Sequence, residues 1–160
     1  MVFMLKRFRN FVIHTWFRFK RPMTLGVRII ASNADGHICL VRHTYTPGWH
    51  LPGGGVERGE TCLEAALKEA REEVGLIIAL EDLNLVSIHA NFENFPGDHV
   101  LLYETQTWTQ TSTNSGLEIA EYGFYDPNAL PQGTTAGTRR RLNERADVLA
   151  GLKKQPSARW

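Results

Sequence analysis

The chain has 160 residues, of which 42% are hydrophobic and 22% charged, with 14 glycines and 7 prolines. This composition is typical of one globular domain and argues against collagen-like, disulfide-rich and disordered classes. The two cysteines, Cys39 and Cys62, lack C-x-x-C spacing. A structural zinc site is therefore not expected, and a reducing compartment is the simpler interpretation. No apolar run reaches the length of a transmembrane helix.

Charge is unevenly distributed, although the formal net charge is only +1. Residues 1–34 carry seven Lys/Arg and no acid, and residues 139–160 carry seven basic residues against two acids. Residues 35–138 carry fifteen acids against four basic residues. If this acidic middle part handles a polyanionic ligand, it needs a cation to do so.

The first 22 residues are predicted to form a basic amphipathic segment, with a helix over 2–21. Apolar residues recur there at three- and four-residue spacing, at Val2, Leu5, Phe8, Val12, Trp16 and Phe19. Alternating Phe11, Ile13, Phe17 and Phe19 keep a strand as an alternative. Docking on its own domain or on a sister subunit is the favoured role, which allows a homodimer. Contact with an anionic membrane surface and a transit peptide are the alternatives.

The remaining elements follow from periodicity and turn signals. Strands are predicted at 25–32 and 37–43, joined into a hairpin by Asn33-Ala34-Asp35-Gly36. A Gly/Pro-rich loop at 47–55, a helix at 61–74, strands at 85–91, 99–107 and 119–125, a polar loop at 110–116 and a helix at 136–149 complete the order. Residues 153–160 are predicted to be a tail, frayed from Pro156 onward.

The helix at 61–74 has clear ends. Thr61 and Glu64 have the spacing of a capping box, and Gly75 suits a left-handed C-cap. Its apolar residues form one narrow stripe that must pack on another element: Leu63, Ala66, Leu67, Ala70 and Val74.

Three glutamates crowd the helix beside this stripe. Glu69, Glu72 and Glu73 are neighbours at i,i+3 and i,i+4, and each like-charge pair costs about 0.2–0.5 kcal/mol even when exposed. A bound divalent cation or a raised pKa would relieve the repulsion, and oxygen ligands favour Mg²⁺ or Mn²⁺. A solvated acidic surface is the alternative. The preceding loop, residues 52–55, favours a ligand site because bare glycine backbone can approach a metal or a phosphate.

At this point the chain resembles a known family. Residues 54–76 (GGVERGETCLEAALKEAREEVGL) are similar to the Nudix box, G-x5-E-x7-R-E-U-x-E-E-x-G-U, where U is aliphatic. The matching positions are Gly54, Glu60, Glu69, Ala70, Glu72, Glu73, Gly75 and Leu76. Six fixed Gly/Glu positions would coincide about once in ten million windows. Lys68 departs from the pattern, because the family usually has an arginine there that orients the glutamates.

The resemblance implies an α/β fold, the Nudix-type α/β/α sandwich with a mixed sheet, over residues 23–152. It also implies a Mg²⁺-dependent hydrolase, with Mn²⁺ possible in its place, that cleaves the pyrophosphate linkage of a nucleoside diphosphate joined to another moiety. Glu72 and Glu73 would bind the principal metal, with the Gly54 carbonyl as a further ligand. Glu69 would bind a metal or take the proton from water, and Glu60 would be more peripheral.

Residues outside the box complete the predicted site. The general base in such enzymes often comes from a distant loop, and Glu118 fits, with Glu121 as the competitor. Arg42 and Arg28 are the candidate phosphate contacts, and ordinary ion pairing is the alternative. The candidates for stacking a base are Trp49, Tyr45 and Phe92, and the histidines that could contact a ligand are His43, His50 and His99.

The sequence limits the choice of substrate class only by elimination. Phe92 stands where the ADP-ribose group has a proline, and the signatures of the dinucleoside polyphosphate and coenzyme A groups are missing. A broad MutT-like nucleotide pyrophosphatase, bacterial in type and cytoplasmic, is left. The alternatives are a catalytically weak nucleotide-sensing module and an RNA 5′-end pyrophosphohydrolase. No DNA- or RNA-reading motif is present.

Overall fold

The computed structural model describes residues 16, 23–93, 95–113 and 117–160. Within them lie the strands β1 (Thr24–Ala31), β2 (Ile38–His43), β3 (Leu76–Ile77), β4 (Asn84–Ala90), β5 (Asp98–Thr105), β6 (Thr109–Gln110) and β7 (Ile119–Tyr125). The helices are α1 (Cys62–Val74) and α2 (Ala136–Leu149), with a 3₁₀ turn at Leu80–Asp82. The helix predicted over 2–21 lies outside the described residues, apart from Trp16. None of the described helices is long and apolar enough to cross a membrane.

The principal sheet is mixed. Its strand order is β1-β5-β4, with β1 parallel to β5 and β4 antiparallel to β5. A second pair joins β2 and β7 antiparallel, and a short pair joins β3 and β6.

The predicted hairpin between β1 and β2 is wrong. The turn itself forms, since Asn33 N–H donates to the His37 carbonyl and Gly36 N–H donates to the Asn33 carbonyl, both at 3.0 Å. Beyond it, a single bridge between Ser32 and Ile38 joins the two strands in the described part of the chain. They separate because β1 pairs with β5 on one edge and with the glycine loop on the other, whereas β2 pairs with β7.

Helices cover both faces of the principal sheet. Alternate residues of β1 point to opposite sides, so Val27, Ile29 and Ala31 join the core under α1. Ile30 points the other way, into a second core with Leu142 of α2. This arrangement confirms the predicted α/β/α sandwich.

The caps of α1 also form as predicted. The Thr61 hydroxyl accepts from Glu64 N–H at 3.2 Å, and Glu64 Oε2 accepts from Thr61 N–H at 2.7 Å. Gly75 ends the helix in the left-handed conformation, with φ 67°. These contacts fix where the glutamate-bearing turns of α1 lie along the chain.

The last residues are not frayed, which corrects the sequence prediction. Ala90 N–H donates to the Ala158 carbonyl at 2.8 Å, and Trp160 N–H donates to the Ala90 carbonyl at 3.0 Å. The segment therefore extends the outer edge of β4. Periodicity could not reveal this pairing because its partner lies about seventy residues earlier in the chain.

Candidate active site

The glycine loop is held on the outer edge of β1. Val27 N–H donates to the Gly54 carbonyl and Ile29 N–H donates to the Pro52 carbonyl, both at 2.9 Å. Gly53 has φ 137°, and a Cβ there would overlap the Val27 carbonyl. Only glycine therefore permits this close approach of loop and strand.

Arg28 binds this loop. Its guanidinium donates to the Gly53 carbonyl and, at 3.3 Å, to the Leu51 carbonyl. Burial lowers the pKa of Arg28, and the charges of Glu73 and Glu69 oppose that shift. Arg28, the predicted phosphate contact, thus donates its hydrogen bonds to the loop backbone. It also lines a cavity described below.

Glu73 is the most buried of the three box glutamates, with 8% of its surface exposed. Gly53 N–H donates to its Oε2 at 2.8 Å, and His43 Nε2 lies 3.5 Å from its Oε1. Burial raises the pKa of Glu73 to about 7, although the Gly53 hydrogen bond and Arg28 oppose the rise. Burial therefore favours the protonated form of this carboxyl in the metal-free protein.

Glu69 and Glu72 lie in different surroundings. Glu69 is half-buried against Gly54, where a Cβ would overlap its carboxylate, and burial raises its pKa, helped by the Glu72 charge. The Glu72 side chain is 55% exposed and lies 3.7 Å from Arg71. Among the described residues, no three His, Cys, Asp or Glu side chains already form a metal-ligating cluster.

One cleft nevertheless brings together the predicted glutamates. It has a volume of about 820 Å³, and the acidic residues lining it are Glu69, Glu72, Glu73 and Glu118. Carboxylate oxygens are the ligands that Mg²⁺ and Mn²⁺ prefer, and the raised pKa values of Glu69 and Glu73 indicate carboxyls that a cation would help to ionise. The donor set therefore fits a divalent metal ion. The Gly54 carbonyl already accepts from Val27, so its predicted role as a further ligand needs its second lone pair.

Lys68 does not contact the three glutamates directly. Its ammonium lies 3.2 Å from Glu60 Oε2 and 3.5 Å from Glu57 Oε1, so it ties the loop before α1 to the helix. Its charge still lowers the pKa of Glu69, against the larger effect of burial.

The two candidates for the general base are separated by the structure. Glu118 lines the cleft with the box glutamates. Glu121 instead accepts from Arg42 at 2.8 Å, directly across the β2–β7 pair. Glu121 and Arg42 thus form an exposed ion pair with each other. Neither of them lines the cleft.

A smaller cavity of about 360 Å³ lies beside the glycine loop. The side chains lining it include Arg28, His43, Tyr45, His50, Asn91, Asp98 and Trp160. His43 also contacts Glu73, and its Nδ1 is buried with no hydrogen-bond partner in the part of the chain that the structure describes. No local pattern could pair His43 with Glu73, because the two residues stand thirty positions apart in the chain.

The other aromatic candidates lie elsewhere. Trp49 is 7% exposed, packs edge-on against Tyr125 in the second core and lies under the Arg42 guanidinium. Phe92 is 53% exposed and meets the His99 ring edge-on. Trp49 lines neither cavity, so its predicted role in stacking a base is not supported by its position.

Comparisons with known proteins agree with this architecture. Residues 22–146 match the NUDIX domain family. A protein of Bacillus subtilis (strain 168), described as a candidate 8-oxo-dGTP diphosphatase, is 31% identical over 121 residues, covering 76% of this chain and 78% of that protein. The RNA pyrophosphohydrolase of Halorhodospira halophila is 50% identical over 51 residues, but these span only 32% of this chain and 28% of that protein.

A solved structure shows the same fold. The MutT NUDIX hydrolase of Burkholderia pseudomallei superposes with a TM-score of 0.64 at 24% identity, covering 75% of this chain and 95% of that one. Fold, cleft and family match define a hydrolase of the Nudix class. The chain belongs to the Nudix family as a MutT-like pyrophosphohydrolase.

Proposed function

We propose that the chain hydrolyses the pyrophosphate linkage of a nucleoside triphosphate or a nucleotide-sugar type of substrate, with Mg²⁺ as its cofactor and Mn²⁺ as a substitute. The observation that carries the proposal is the position of Glu118 in the same cleft as Glu69, Glu72 and Glu73. A bound divalent cation supplies charge neutralisation and a more acidic water. Family membership supports divalent-metal use in general, and the oxygen-only donor set favours Mg²⁺ or Mn²⁺.

The chain's own residues have distinct roles in this proposal. Glu72 and Glu73 hold the principal cation, and Gly53 N–H fixes the orientation of the Glu73 carboxylate at 2.8 Å. Cation binding requires Glu73 to lose its proton; the raised pKa of Glu73 opposes this loss in the metal-free protein, and the charge of the bound cation favours it. Glu118 takes the proton from the attacking water, and Glu69 is a further ligand or an alternative base.

The nucleoside part of the substrate occupies the smaller cavity. That cavity and the glutamate cleft meet at the glycine loop, because Gly53 lines the former and binds Glu73 in the latter. Tyr45, which is 69% exposed, offers an aromatic face there. Arg28 and His43 line the smaller cavity, and His43 lies 3.5 Å from Glu73 of the cleft, so a diphosphate would lie beside them.

RNA 5′-end pyrophosphohydrolysis is the second candidate. It is favoured by the 50% identity to the Halorhodospira halophila enzyme, which covers less than a third of either chain. A nucleotide substrate and a 5′-triphosphorylated oligoribonucleotide share the reacting group and differ in the chain attached beyond the ribose.

A cytoplasmic location, a homodimer and membrane contact through residues 1–21 remain predictions.

A direct assay tests the proposal. Purified chain is incubated with Mg²⁺ or Mn²⁺ and a panel of nucleoside triphosphates, nucleotide sugars and a 5′-triphosphorylated oligoribonucleotide, and released phosphate and pyrophosphate are measured. Glu73→Gln should lose orders of magnitude in rate while keeping the fold. Glu81→Gln, on the exposed 3₁₀ turn, is the matched control. Activity of Glu73→Gln within a few-fold of wild type would contradict the assignment.

A further inference from the structure

Residues 156–160 carry an aromatic side chain to the smaller cavity. The segment adds to the outer edge of β4 through the two hydrogen bonds between Ala90 and residues 158 and 160. Trp160 is half-buried there and lines the cavity. It comes from a part of the chain far from the glutamate helix.

Buried polar contacts hold this segment in place. Arg141 of α2, one of the most buried side chains, pairs with Glu144 at 3.0 Å and donates to Ser157 Oγ at 3.2 Å. Ser157 N–H donates to Glu144 Oε2 at 3.4 Å. Contacts with Arg141 and Glu144, in the middle of α2, thus fix the position of the segment.

The indole ring itself has a fixed environment. It meets the His89 ring edge-on, with centroids 5.6 Å apart, and the Arg141 guanidinium lies 5.5 Å from its centroid. Gly137 lies directly against it, and a Cβ there would overlap the indole nitrogen. A ring held in this way loses little conformational freedom when a ligand stacks on it.

We propose that Trp160 is a specificity-determining residue that forms a wall for the planar base of the nucleotide substrate. The inference rests on the proposed function, because the base is placed by a diphosphate lying at the glutamate cleft. The cavity has the volume of a small-ligand pocket. Trp160 and Tyr45 give it aromatic surface, and Asn91 and Asp98 give it polar groups. A nucleobase combines a flat apolar face with hydrogen-bonding edges, which suits such a lining.

Binding experiments test the wall independently of catalysis. Affinities of AMP, GMP, CMP and UMP, and of ribose 5-phosphate as a base-free probe, are measured by calorimetry for wild type, Trp160→Phe and Trp160→Leu. Leu152→Ala is the matched control, since Leu152 is 76% exposed after α2 and does not line the cavity. KM and kcat are then measured for the corresponding triphosphates with Mg²⁺.

The expected result is dependent on the base. Trp160→Leu should weaken the best-bound monophosphate about tenfold and raise the KM of its triphosphate similarly, with kcat within about twofold. Trp160→Phe should retain most of the affinity, and ribose 5-phosphate should bind equally to all variants. Equal behaviour of Trp160→Leu and Leu152→Ala overturns the inference, as does a loss that is the same with and without a base.

The two proposals fail differently. Base-dependent binding without hydrolysis of any triphosphate would remove the proposed function and leave the wall. Hydrolysis by a wild-type protein that binds the monophosphates no more tightly than ribose 5-phosphate would remove the wall and leave the function. If Trp160→Leu melts well below wild type, the comparison of the monophosphates with ribose 5-phosphate in that variant decides, because a general loss of structure would weaken both kinds of ligand alike.

Discussion

The backbone N–H of Gly53 donates a 2.8 Å hydrogen bond to Glu73 Oε2, joining the glycine loop to the buried carboxyl of α1. Gly53 in turn is pressed against β1, where a Cβ would overlap the Val27 carbonyl. The position of the carboxylate therefore depends on how closely the loop approaches the strand.

This dependence predicts a large effect of Gly53→Ala. The substitution adds backbone strain at φ 137° and a clash with Val27, so we expect lower thermal stability and weaker Mg²⁺ binding. Gly36→Ala is the matched control, because Gly36 also has a positive φ, 77°, but has open space around its Cβ position. The control therefore measures the cost of backbone strain without a clash, which is about 1–2 kcal/mol. Thermal melts and Mg²⁺ titrations that give equal losses for both variants would rule out a special role of the loop contact.

The raised pKa of Glu73 predicts a pH dependence of the metal-free protein. An unfolded glutamate titrates near 4.5 and the folded one near 7, so the folded state binds more protons between these values. This group therefore makes stability fall as pH rises from about 4.5 to 7, by an amount of order 3 kcal/mol. The charged groups that influence it are Arg28, Glu69 and Glu118, and His43 lies beside it.

Chemical denaturation in EDTA from pH 5 to pH 8 measures this dependence. His43 has a pKa lowered by burial and acts in the opposite direction, so the comparison is between wild type and Glu73→Gln. As pH rises, the free energy of unfolding of Glu73→Gln should increase relative to that of wild type. A difference that stays constant would show that Glu73 titrates normally.

Substitution of Lys68 should have a smaller effect on Mg²⁺ binding, which is electrostatic in origin. Its charge lowers the pKa of Glu69 while its ammonium pairs with Glu60 and Glu57. Lys68→Ala should weaken Mg²⁺ binding a few-fold and loosen the loop before α1, whereas Lys68→Arg should keep or raise activity. Lys153→Ala, at an exposed ion pair with Asp147, is the control for loss of a positive charge. Equal Mg²⁺ affinity in all of these proteins would show that the position is only a surface charge.

Local features of the site could be predicted from the sequence, and long-range ones could not. Thr61, Glu64 and Gly75 act within one helix, so their spacing was sufficient to place α1 and its glutamates. The Asp35-Gly36 turn also formed, but which strands pair beyond it depends on competition from β5 and the glycine loop. Docking of Trp160 on Ala90 depends on the final packing of α2 and was invisible to any local pattern.

The same packing gives the last prediction, for the buried pair of Arg141 and Glu144. The Arg141 side chain has no exposed surface, and Glu144 retains 10% of its own. Arg141→Met would leave Glu144 buried without its cation, at a cost of about 3–5 kcal/mol, and would free Ser157 and the ring of Trp160. Arg141→Met with Glu144→Leu should recover much of the stability, because an apolar pair needs no desolvation of charge. Urea unfolding of both single variants and the double variant gives the coupling energy, and additive losses would show that the two side chains contribute independently.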